Sequence, residues 1–141
     1  REVTSGSYQY ELEFRSAFQG FFNFSTGSRW LVNTIETSMR NSFTDNMSFL
    51  DFSFVFNNRF DIQMQAERYY FGNLADNNVY YFLDFEARYM VKENKFTLAL
   101  TGKNLFNTET FRSFSISDIG TSVTEYRLLP RFALLKLEYR F

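Results

Sequence analysis

Between Tyr126 and Phe141 the chain reads YRLLPRFALLKLEYRF, and its side chains change character at every second position. Counted back from Phe141, the residues Tyr139, Leu137, Leu135, Ala133 and Leu129 share its face, while Arg140, Glu138 and Lys136 take the other. Period two is the repeat of a β-strand, whose successive side chains point to opposite sides. A strand that ends flush on an aromatic residue leaves an unpaired edge, which invites pairing with another chain. Closing a sheet into a barrel removes that edge, because the last strand then pairs with the first. The tail therefore predicts an all-β chain and favours a closed sheet.

The same alternation recurs upstream. Ser7 to Phe18 sets Tyr8, Tyr10, Leu12, Phe14 and Phe18 against Gln9, Glu11, Glu13 and Arg15, before a turn at Gln19-Gly20. Phe21 to about Thr34 sets Phe22, Phe24, Trp30 and Val32 against Asn23, Ser25, Gly27, Arg29 and Asn33. A polar loop is expected over Ile35 to Asn46. Met47 to Phe56 and Phe60 to Phe71 are then joined by a tight Asn57-Asn58-Arg59 turn. After a loop at Gly72 to Asn77, Asn78 to Val91 alternates Val79, Tyr81, Leu83, Phe85, Ala87, Tyr89 and Val91 with Asp84, Glu86 and Arg88. A short turn leads to Lys95–Asn104, and a long loop from Leu105 to Glu125 precedes the tail.

Connections thus run short, long, short, medium, short, long, with tight turns on one side and long loops on the other. Outer-membrane barrels have that asymmetry, with periplasmic turns and extracellular loops. No apolar run approaches the roughly 18 residues of a spanning helix, but alternating strands of roughly 9–11 residues escape that test. Aromatic residues make up 21% of the chain, with 20 Phe, and alternate with polar residues instead of clustering. The fold expected is a transmembrane antiparallel β-barrel wall of about seven strands, its C-terminus periplasmic. Bacterial single-chain barrels have an even strand number, so an odd count opening at Arg1, without Met or signal peptide, implies a missing N-terminal portion. A formal charge of −1 supplies no field to draw in nucleic acid. The competing arrangement is a soluble two-sheet sandwich.

Gly102-Lys103-Asn104-Leu105-Phe106-Asn107 resembles the Asn-Leu-Phe-Asp/Asn signature of TonB-dependent outer-membrane transporters, with Asn104, Leu105, Phe106 and Asn107 as the matching residues. Pro130-Arg131 and Tyr139-x-Phe141 fit the same pattern of a loop, a last strand and an aromatic assembly signal. The glycine that this signal often carries upstream is absent. The wording of Tyr126 to Phe141 is similar to the Bacteroidetes branch of these barrels. Upstream of Gly102 only the pattern matches. The resemblance implies a plugged barrel of about 22 strands, of which residues 1–141 are one partial domain. The N-terminal strands, plug and TonB-contacting segment would lie outside this chain. It further implies nutrient uptake (glycan, peptide, siderophore or similar) across a Gram-negative outer membrane. The partners would be the rest of the barrel, TonB, a surface lipoprotein, membrane lipids and lipopolysaccharide.

Within that frame Glu11, Glu13, Arg15, Arg29, Asp51, Asp61, Glu67, Asp84, Glu86, Arg88, Lys103, Lys136 and Glu138 are expected to face the lumen. Its acids would pair with Arg88, Arg15 and Lys136 on neighbouring walls. Tyr8, Tyr10, Trp30 and Tyr70 would form the loop-side aromatic girdle. Phe18, Phe22, Phe56, Phe60, Tyr89, Phe96, Tyr139 and Phe141 would form the turn-side one. Arg68 and Arg131 face outward near the outer headgroups, where lipopolysaccharide phosphates or simple snorkelling would accommodate them. Inward apolar residues Phe49, Val55, Phe82, Leu128, Phe132 and Leu134 suit a plugged lumen better than an open pore. Phe111 and Phe114 in the last loop are candidates for ligand or lipoprotein contact.

No catalytic residue, metal ligand or cofactor is expected. The chain has no His and no Cys, so a Ser-His relay and thiolate or imidazole metal ligation are unavailable within it. The loop acids Asp45, Asp76 and Asp118 lack the dense oxygen spacing of a calcium loop. The other readings are a non-transport scaffolding barrel and, given a hidden eighth strand, a small porin or adhesin.

Overall fold

The computed structural model describes residues 4–16, 20–36, 39–117 and 120–141. Every regular element among them is a strand: β1 (Thr4–Arg15), β2 (Phe22–Glu36), β3 (Arg40–Phe56), β4 (Phe60–Phe71), β5 (Val79–Lys92), β6 (Phe96–Lys103), β7 (Thr110–Ser117), β8 (Gly120–Arg127) and β9 (Phe132–Tyr139). Phe18, Gln19 and Asp118 lie outside the described residues. Asparagine makes two of the reversals. Asn57 takes a left-handed φ of 53°, with its side-chain oxygen accepting the Arg59 N–H at 3.0 Å, and Asn94 takes φ 58° between β5 and β6. Asn reaches this region at lower cost than most side chains, because its short amide bonds the local backbone.

Seven strands form one antiparallel sheet in the order β1-β2-β3-β4-β5-β6-β9, and β7-β8 is a separate two-stranded hairpin. Paired residues share a face, so the registers carry the alternation from strand to strand. One face takes Phe14, Phe24, Phe52, Met64, Phe85, Leu100 and Leu135, and the other takes most of the charges. The two-sheet sandwich is not what forms, since all seven long segments lie in a single sheet. Nor does the last strand meet the first: β9 pairs only with β6, and β1 only with β2, leaving the described sheet open.

Three sequence expectations need correction. The polar loop over 35–46 is strand on both sides, and β2 and β3 stay in register out to Glu36 opposite Arg40. Ser42, Thr44 and Asn46 alternate with Phe43 and Asp45, so this part of β3 has no apolar face for periodicity to reveal. Only three residues lie between the paired Glu36 and Arg40, so the strict alternation of short and long connections fails at this point. The loop from Leu105 to Glu125 is largely the β7-β8 hairpin. The final strand starts at Phe132, after Pro130, which lacks the N–H that a ladder needs. Leu129 and Arg131 consequently precede the strand instead of sharing its outer face, and Leu128 also lies off it.

Tyr80 is the single buried hydrophobic residue among those described, at 4% exposure, whereas Tyr8 (65%) and Leu135 (61%) lie open. No second layer covers the apolar face. Stabilisation therefore comes from cross-strand pairs, and glycines show how closely these fit. A Cβ on Gly27 would approach Phe49 Cε1 to 2.6 Å, because the Phe49 ring lies across the opposite glycine. This accounts for one of the inward apolar residues. Gly102 is covered in the same way by the Phe85 ring on the other face. We predict that Gly27→Val costs about 1–3 kcal/mol through the forced displacement of Phe49. Urea unfolding of the detergent-folded protein should show part of that loss recovered in Gly27→Val/Phe49→Ala. Strict additivity would refute the ring-over-glycine contact.

Candidate functional site

The polar face carries every residue expected to line a lumen. Glu11, Glu13, Arg15 and Arg29 lie there on β1 and β2, Asp51, Asp61 and Glu67 on β3 and β4, Asp84, Glu86 and Arg88 on β5, and Lys103, Lys136 and Glu138 on β6 and β9. One row runs Arg15–Ser25–Asp51–Gln65–Asp84 across successive strands, and Lys103 extends it through a 3.1 Å ion pair with Asp84. A cavity of about 570 Å³ follows this row and touches six strands from Arg15 to Lys103, so this face is concave. One Asp51 carboxylate oxygen in it has no hydrogen-bond partner.

The ion pairs are more local than expected. Glu13 holds Arg15 at 2.7 Å and Glu86 holds Arg88 at 2.9 Å, each within one strand. Glu138 stands between Lys136 (3.8 Å) and Arg140 (3.6 Å), and Arg29 reaches across to Glu11 at 3.5 Å. All are well exposed, so each contributes roughly 0.2–1 kcal/mol at most. They shape a hydrated charged surface more than they stabilise it.

The β7-β8 hairpin is anchored at the loop end of this same face. Phe111 sits among four aromatic rings: Tyr80 at 5.0 Å, Tyr69 at 5.3 Å, Phe71 at 5.6 Å and Phe82 at 6.0 Å between centroids. The Arg112 N–H donates to the Tyr80 hydroxyl at 3.2 Å, and the Thr108 hydroxyl donates to the Tyr81 carbonyl at 2.5 Å. Arg112 also pairs with Glu125 across the hairpin at 2.6 Å, a hydrogen bond that raises the guanidinium pKa and leaves it charged at any working pH. The long connection thus turns inward over β4 and β5. Phe111 is committed to packing, and Phe114 lies on the hairpin's other face. Tyr69, Phe71 and Tyr80 were missed as partners; the available signal was their shared inward parity at the loop ends of two adjacent strands.

The Asn104-Leu105-Phe106-Asn107 segment holds that connection to the sheet. Asn104 and Asn107 both take left-handed φ, 50° and 56°. The Asn104 N–H donates to Asp84 at 2.8 Å, and the Leu105 N–H donates to the Leu83 carbonyl at 2.9 Å. The Asn104 amide nitrogen donates to the Thr108 and Leu129 carbonyls at 2.9 Å each, and its oxygen accepts the Thr108 N–H at 3.0 Å. Asn107 accepts the Arg131 N–H at 3.0 Å, and Phe106 packs on Tyr81 at 6.4 Å. The two asparagines therefore tie the end of β6 to β5 and to the lead-in of β9.

On the apolar face, rings meet in a chain near the tight turns: Phe22–Phe54 (4.8 Å), Phe54–Phe56 (6.1 Å), Phe56–Phe60 (5.6 Å) and Phe60–Tyr89 (6.2 Å). Phe96, Tyr139 and Phe141 make a second run of meeting rings, with Phe141 beyond the end of β9. Tyr8, Tyr10, Trp30 and Tyr70 lie on this face toward the other end. Arg68 joins them from β4, but Arg131 does not, because it precedes β9 and is separated from β4 by β5 and β6. Compared with protein-family models, curated proteins and solved structures, the chain matches none.

Two predictions follow from these contacts. Phe111→Ala should release the hairpin, so that amide exchange over 110–127 rises more than tenfold while β2–β4 stay protected; Phe114→Ala should have a much smaller effect. Asn104→Ala should cost about 2–4 kcal/mol, from lost hydrogen bonds and a left-handed backbone. Asn104→Gly, read by the same urea midpoint, should lose only the hydrogen-bond share.

Proposed function

We propose that this chain is wall from the C-terminal part of an outer-membrane β-barrel, of the TonB-dependent transporter type that the Asn104–Asn107 segment and the tail resemble. The observation carrying this reading is the two-faced sheet. Its apolar side is uncovered across seven strands and edged by aromatic residues, while its concave side is charged and hydrated. Exposed apolar patches on soluble monomers seldom exceed a few hundred Å². A hydrocarbon layer removes the cost of exposing such a face, and a wet lumen suits the opposite side.

In this role the wall residues perform no chemistry. Backbone pairing occupies most donors and acceptors of the central strands, and the charged rows hydrate the passage. The inward hairpin narrows the loop-side mouth above the Asp51–Asp84 row, where a solute meets the barrel first. Passage past a plug would be driven by TonB acting on segments outside this chain. Its open edges at β1 and β9 would pair with further wall strands. A non-transport barrel would use the same wall, so the partner segments decide between the two.

The test compares neighbouring residues of β6 in a chain that has no native Cys. In intact outer membranes, Thr97→Cys should react with a water-soluble maleimide, and Leu98→Cys should react only with a membrane-partitioning one. Equal labelling of both by the soluble reagent would refute the wall. The denatured mass of the intact polypeptide carrying this tail should be several times 16.9 kDa; a mass near that value would refute the single-chain transporter.

A further inference from the structure

The apolar face carries a polar cluster on β2, β3 and β4. Ser28, Ser48 and Arg68 are aligned on β2, β3 and β4, and Asn46 stands in the next row between Trp30 and Tyr70. The Ser28 and Ser48 hydroxyls lie 2.8 Å apart, and the Asn46 amide donates to Ser28 at 2.8 Å and to the Arg29 carbonyl at 3.1 Å. Ser48 donates to the Asn46 amide oxygen at 3.1 Å, and Arg68 donates to the same oxygen at 3.3 Å. The guanidinium stands 6.0 Å from the Tyr70 ring. Among the described residues no carboxylate pairs with it, although every other strand of the seven-stranded sheet carries an ion pair. A guanidinium has five N–H donors, and this one has spent one on a neutral partner.

We infer that Ser28, Asn46, Ser48 and Arg68 form a site for the anionic phosphate headgroup of a membrane amphiphile. This inference rests on the wall reading above. Arg68 is eight residues along β4 from Phe60, about 26 Å at roughly 3.3 Å per residue. At a tilt near 40° that is about 20 Å of height, near the top of an apolar band about 25 Å tall. Phosphates lie at that level, flanked by aromatic rings. A planar guanidinium matches phosphate oxygens two at a time, and its unspent N–H groups are the donors that the cluster holds in place beside Tyr70. Acyl chains would run down the apolar rows formed by Thr26, Leu50, Ala66 and Leu83. The site thus takes an amphiphile whose charge and chains are read by adjacent rows of one face.

The experiment uses the intact barrel-bearing polypeptide, delipidated in detergent and titrated in native mass spectrometry. The two probes are dioleoylphosphatidic acid and dioleoylglycerol, which differ only in the phosphate. The wild type should retain phosphatidic acid about tenfold better, as expected for a charge-assisted pair. Arg68→Gln should bring the two lipids to parity, and millimolar inorganic phosphate should not displace the bound lipid. Should Arg68→Gln fail to show heat-modifiable barrel migration, Arg68→Lys serves instead. Losing the fork should cut its preference about threefold. An unchanged preference in a folded Arg68 variant, or displacement by inorganic phosphate, would overturn the site. A folded barrel without phosphate preference refutes this inference alone, whereas a wild type without barrel migration refutes the wall and the site together.

Discussion

Backbone pairing in continuous register is the constraint on which the rest of this protein depends. Each antiparallel pair aligns residues of the same face, so the alternation on one strand is handed to the next. From Tyr8 opposite Val32 to Leu98 opposite Leu137, the transfer runs across seven strands, with a register shift only between Met90 and Lys92. A slip of one residue at any pair would put charges among the apolar rows. The polar cavity, the aromatic chain near the turns and the Ser28–Arg68 cluster are all consequences of that alignment.

The sheet lacks a conventional core. Only Tyr80 is buried among the described hydrophobic residues, and it is buried because the β7-β8 hairpin folds over it. Local fit takes the place of layer packing: rings over glycines, asparagines in left-handed turns and short ion pairs along single strands. Such a structure is stable in water only if something covers its apolar face. This dependence ties the functional reading to the environment more than to any catalytic geometry.

The Asn104–Asn107 segment shows how a short sequence signature can be a mechanical part. Its asparagines supply left-handed backbone, and their side chains bind carbonyls and amides from both sides of the long connection. Asp84 takes part from β5, bonding the Asn104 N–H and pairing with Lys103. A residue that looked like lumen charge therefore also fixes the root of the hairpin. The segment positions the hairpin at the loop end of the polar face.

The amino-acid sequence by itself determined the all-β class, the two faces of most strands of the sheet and the tight turns at Asn57 and Asn94, because period two and left-handed asparagine are local properties. Tertiary structure decided the rest. β2 and β3 stay paired out to Glu36 and Arg40 because backbone hydrogen bonds need no apolar face. The last connection becomes a hairpin because Phe111 finds four rings on β4 and β5. Arg68 gains Ser28, Asn46 and Ser48 as neighbours only through registers linking residues that lie as far as 40 positions apart in the chain. Arg131 loses its expected place because Pro130 delays the start of β9. Contacts of that range depend on which strand lies beside which, and no local pattern encodes it.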